Sequence, residues 1–98
     1  MYNEIFKLCK MLDDEGLEYI FRNRSRYYTH YQILLTDKVG NVIVSIIQGK
    51  LTYGGTENKL EIMGLLTPEE AEMDEVVGYL SAEEVYKRIM NYYENIWK

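Results

Sequence analysis

Arg22, Arg24 and Arg26 stand at alternate positions, and Tyr27, Tyr28, His30 and Tyr31 follow directly. Guanidinium forks take phosphate or carboxylate through paired hydrogen bonds, and aromatic rings stack on bases or peptide planes. A strand has a period of two, so three arginines spaced this way would share one face as a basic ridge. Arg22, Arg24, Arg26, Tyr27, Tyr28 and His30 are therefore the first candidates for binding an anionic ligand or partner. The same spacing fits an exposed edge strand guarded by charge. A turn within Asn23–Ser25 would instead break the ridge at a hairpin tip, and the sequence leaves these alternatives open.

Tyr53 adjoins Gly54 and Gly55 in the glycine-rich stretch Gly49–Asn58. This stretch reads first as a mobile hairpin connection. Adjacent glycines also permit positive φ or a close approach of backbone to a ligand, which adds Tyr53 to the candidates. No Gly-Lys-Ser/Thr follows, so it is not a phosphate loop.

Catalytic chemistry has little to start from. A single histidine and a single cysteine give no zinc cluster, and a nucleophilic triad would rest on His30 alone. Glu69, Glu70, Glu72, Asp74 and Glu75 lack the alternation and glycine of a calcium loop and read as a solvated acidic elbow. Nothing singles out a pair of carboxylates for acid–base work. The expectation is a protein with no catalytic residues, no metal and no cofactor.

The elements that must position these groups follow from periodicity. Asn3 reads as the N-cap of an amphipathic helix over residues 3–15, with Glu4 at its positive end, Ile5, Leu8, Cys9 and Leu12 on one face, and Gly16 as its stop. Cys9 on that face reads as a structural thiol. From Leu17 the period becomes two. Residues 31–35 and the β-branched run 42–47 make a hairpin across Thr36–Asn41, and Leu60–Leu66 adds another strand. Thr67-Pro68-Glu69-Glu70 is a capping box opening one or two helical turns, after which 76–80 returns to the core.

Ser81-Ala82-Glu83-Glu84 is a second capping box, opening the C-terminal helix. Val85, Ile89, Tyr92 and Ile96 form its core stripe. Tyr86, Met90, Tyr93 and Trp97 form a second stripe, which either packs on the first helix or serves as an interface, for example in a homodimer. Core packing is the expectation. The predicted class is α+β: one domain over 1–98, with an N-terminal helix, about four mainly antiparallel strands and a C-terminal helix on one sheet face.

The totals set outer limits. Ninety-eight residues with 47% hydrophobic and 28% charged residues make an ordinary globular composition. Apolar runs are too short to span a bilayer, and the first fifteen residues lack a signal peptide's apolar centre. A lone cysteine fits a reducing compartment, so a cytoplasmic location is expected. Net charge is −5, and residues 57–84 hold nine acids against Lys59 alone. That balance counts against nucleic acid as the partner. Ten tyrosines beside two phenylalanines suit wet interfaces.

NEIFKLCKMLDDEGLEYIFR, the TYGG loop and LEIMGLLTPEEAEMDEVVGYLSAEEVYKRI together resemble a group of small phage and prophage proteins of Gram-positive bacteria. The resemblance covers nearly the whole chain and carries no catalytic residues with it. It implies an accessory protein that acts by binding, such as one that inhibits a host defence protein or captures a nucleotide signal. A single-stranded nucleic-acid module and a self-associating interaction protein stand as alternatives.

Overall fold

The computed structural model describes residues 2–24 and 30–96. In chain order these form α1 (Asn3–Asp14), β1 (Ile20–Arg24), β2 (His30–Thr36), β3 (Val42–Gly49), a 3-10 turn (Gly55–Glu57), β4 (Leu60–Met63), α2 (Pro68–Met73), β5 (Val77–Leu80) and α3 (Ala82–Ile96). The strands make one antiparallel sheet in the order β1-β2-β3-β4-β5. Every strand pairs with its neighbour in the chain, the arrangement short connections favour. The α+β class is as expected, with a fifth strand where residues 77–80 return to the core. β1 starts at Ile20 rather than Leu17. β4 stops at Met63 because Gly64 and Leu65 turn the chain with φ of 103° and 57°.

α1 and α3 pack against each other and on the same face of the sheet. Their buried residues Ile5, Leu8, Leu12, Ala82, Val85 and Ile89 meet Ile33, Leu35, Val44, Ile46, Leu60, Ile62 and Leu80 from the strands. The core is wholly aliphatic, and full burial of each larger side chain contributes about 1.5–3 kcal/mol. Strand alternation then sends Gln32, Leu34, Ser45 and Ile47 to the opposite face, where no described helix lies.

The start of α1 corrects the expected cap. The helix begins at Asn3, and Tyr2 before it supplies no side-chain bond. The oxygen comes from across the fold: Asn58 Oδ1 accepts the N–H of Asn3 at 2.7 Å and of Glu4 at 3.2 Å. Fully buried Gln48 accepts the N–H of Ile5 through Oε1 at 3.0 Å and donates Nε2 to Asn58 at 3.0 Å. Asn58 holds this position at φ 58°, a conformation Asn tolerates better than most residues.

The segment carrying that cap is not the loose connection its glycines suggested. Gly54 and Gly55 are both buried, and a Cβ on Gly55 would fall on the carbonyl oxygen of Gly49. These glycines admit neighbouring backbone rather than a ligand.

The other helix ends match expectation. Gly16, at φ 72°, closes α1 while Leu17 N–H reaches Leu12 O at 3.0 Å and Gly16 N–H reaches Asp13 O at 3.0 Å. Thr67 and Glu70 form a reciprocal capping box, as do Ser81 and Glu84. Glu4 lies in the first turn of α1 as expected, and its Oε1 also accepts the Ala82 N–H of α3 at 2.9 Å. Lys7–Glu83 and the Tyr86 hydroxyl donating to Glu15 at 2.7 Å tie the two helices further.

Candidate functional site

The register of the sheet decides which candidate residues meet. Arg22 pairs with Gln32, Gln32 with Ile47, and Ile47 with Glu61. These four form a row across the face away from the helices, with β1 to β4 spanning about 14 Å at usual strand spacing. A neighbouring row runs Ile20, Leu34, Ser45, Met63. Ile20 and Met63 are exposed, and Gln32 Nε2 donates to Ser45 Oγ at 2.9 Å, joining the rows. On the other side Arg24 stands opposite His30, and His30 opposite Gly49. The open face therefore grades from cationic at β1, through an aliphatic centre, to Glu61 at β4.

Arg22 and Arg24 share β1, so the chain does not turn at Asn23, while Ser25 and the rest of the expected ridge lie outside the described residues. Arg26, Tyr27, Tyr28 and Trp97 lie outside the described residues. Tyr31 pairs with Asn23 and faces the helix side, its ring 4.9 Å from that of Phe6 and 5.9 Å from that of Phe21. It does not join the arginines, because adjacent residues of a strand face opposite ways.

Tyr53 is also apart from them. Its N–H donates to Glu61 Oε1 at 2.8 Å, and its carbonyl accepts the Tyr79 N–H at 3.2 Å. That places it beside β5, at the edge opposite β1. β5 carries one extra residue between the pairs Leu60–Leu80 and Ile62–Val77, and Tyr79 takes φ 61° within this bulge. Gly78 leaves room there, since a Cβ on it would fall on that of Tyr53. Tyr53 and Tyr79 are both exposed on this held backbone.

The second stripe of α3 mostly serves packing. Tyr86 and Tyr93 lie against the core and Met90 is half-buried. Where β1 peels away from the end of β2, a cleft of about 900 Å3 opens between Tyr19, Ile20, Leu34, Lys38, Tyr92 and Tyr93. No local pattern signals this cleft, because its walls come from three distant segments.

Perturbed acid–base groups are bound up in structure. Arg88 donates to both carboxylate oxygens of Glu70 at 2.7 Å, and Arg88 together with the Thr67 N–H lowers the Glu70 pKa to about 2. Backbone N–H groups of Asn41 and Val39 lower the pKa of Asp37 in the β2–β3 turn. Burial raises the Cys9 thiol, which keeps it in the unreactive protonated form. Burial and a hydrogen bond to Asp13 hold Tyr19 protonated. Among the described residues, no three His, Cys, Asp or Glu side chains converge to hold a metal ion, and no helix is long and apolar enough to cross a membrane.

Phe6, Phe21, Ile20 and Met63 were not among the candidates read from sequence. Phe6 lies off the Ile5/Leu8/Leu12 stripe, which was the available sign that it faces outward. No family model matches the chain, and no curated protein or solved structure matches it.

Proposed function

We propose that the chain is a small accessory binding protein, of the phage kind its sequence resembles, which inhibits or sequesters a host protein in the host cytoplasm on its uncovered sheet face. The observation supporting this reading is the pairing of rows: Arg22 in register with Gln32 and Ile47, beside the apolar row of Ile20, Leu34 and Met63. A broad face of this kind fits a protein that presents apolar side chains flanked by carboxylates. A nucleotide clasp of arginines between rings fits less well, because Tyr31 faces the helices and Tyr53 stands at the far edge. A single-stranded nucleic acid would also meet the carboxylate of Glu61 on the same face.

The test is affinity for the co-purified host partner, measured by calorimetry. Arg22→Glu and Met63→Lys should each weaken binding by about 10-fold or more, the scale of one well-placed interface contact. Lys87→Glu, on the exposed side of α3, should leave it unchanged. Equal affinities for all variants would refute the assignment of the face.

The tyrosine-lined cleft supports a second reading, capture of a nucleotide-like small molecule, since its size and mixed lining suit one flat ligand. Native mass spectrometry would then show a retained small mass that Tyr92→Ala releases and Arg22→Glu does not.

A further inference from the structure

β1 is the outer strand of the sheet and, among the described residues, pairs with β2 alone. The only two phenylalanines of the chain meet at this edge. Phe6 of α1 and Phe21 of β1 have ring centroids 5.7 Å apart and remain 48% and 39% exposed. With an aliphatic core elsewhere, this puts uncovered aromatic surface beside an unpaired strand edge. A second strand edge carrying the same cluster would cover both.

We propose that β1 pairs antiparallel with β1 of a second copy of this chain, about a two-fold axis normal to the sheet. The two sheets then run on as one, with the helices of both copies on the same side. This rests on the edge alone and leaves the open face of each copy uncovered.

Charge selects the register. Centring the pair on Arg22 sets Arg22 against Arg22 and Ile20 against Arg24, with like charges directly opposed. Centring it on Phe21 sets Glu18 of each copy opposite Arg24 of the other, Ile20 opposite Arg22, and Phe21 opposite Phe21. Glu18 is exposed and stands two residues before β1, so a short extension of the strand brings it into the pairing. A further shift, centred on Ile20, sets Glu18 opposite Arg22 but parts the two Phe21 side chains, and pairing Arg24 in it would draw in Gly16, which is already committed to closing α1. The Phe21-centred register alone opposes unlike charges while setting the two Phe21 side chains against each other. The symmetry makes each such pair occur twice.

An interface of one short strand and an aromatic seam is small, so the dimer is weak and reversible. Sedimentation velocity on the full chain, from about 10 μM to about 0.5 mM, spans the affinities expected of such contacts. A monomer–dimer equilibrium is expected. Glu18→Arg and Arg24→Glu should each raise the dissociation constant by about 10-fold, from two reversed pairs per dimer. The double variant, which restores opposite charges, should return to within about 3-fold of the parent by the same accounting. A protein that stays monomeric at the highest concentration overturns the proposal. A double variant no better than the single ones overturns it too, as does a dimer indifferent to both substitutions but lost on Met63→Lys.

Discussion

At the scale of single residues, two amides do the most. Asn58 and Gln48 together satisfy three N–H groups at the start of α1, from positions more than forty residues along the chain. An amide that accepts orphan helix donors contributes about 1–2 kcal/mol, and removing it strands the donors it served. Asn58→Gly keeps the left-handed backbone but deletes the acceptor. It should lower the melting temperature by about 5–10 °C for a chain of this size. Asn58→Ala adds strain at φ 58° and should cost more. A melting temperature unchanged in both, read by circular dichroism, would mean that water replaces the cap without loss. Local patterns cannot reveal such a cap. Asn3 had the right residue type in the right place, but the acceptor came from another part of the chain.

At the scale of elements, α2 shows why a charged surface helix holds its place. None of its residues is buried, so its position depends on Glu70, which closes the capping box and meets Arg88 of α3. Arg88 also donates to the carbonyl of Leu65 at 2.9 Å, which fixes the sharp turn after β4. The Glu70 pKa falls from an ordinary 4.5 to about 2 on folding. A depressed carboxylate stabilises the fold fully above its unfolded value, and the contribution disappears as pH drops from about 4.5 to about 2. Urea midpoints should therefore fall across that window. Glu70→Gln should flatten the slope and lie about 1–2 kcal/mol below the parent at pH 7, a half-buried pair being partly screened. Curves that stay parallel down to pH 2 would remove Glu70 as a source of acid sensitivity. Both capping boxes, the Gly16 stop and the β-branched run of β3 were readable because each is a local pattern with a local cause. The bulge at Tyr79 and the buried packing of Gly54 and Gly55 were not, since what forces them is contact of the turn before β4 with β5 and with the end of β3.

At the scale of the molecule, the apolar stripes of both helices and the alternation of the strands gave the α+β class and the buried face. The candidate site was half legible: alternation placed Arg22 and Arg24 on one strand, but only the register could show that Tyr31 turns away from them and that Tyr53 stands across the sheet. The same register leads to a statement about cooperativity. Leu8 of α1 and Ile62 of β4 are both fully buried in one continuous aliphatic cluster, and the described residues form no second core. Leu8→Ala and Ile62→Ala should each cost about 2–5 kcal/mol. A domain of this size has about 5–15 kcal/mol in all, so each variant should lose a large share of the stability and the pair should be less stable than either. Unfolding of each single variant should be one transition, with far-ultraviolet and near-ultraviolet circular dichroism curves coinciding in urea. If the far-ultraviolet signal of Leu8→Ala instead fell in a separate earlier step, α1 would be docked on a sheet that stands without it. The Asn58 cap would then join two units rather than complete one.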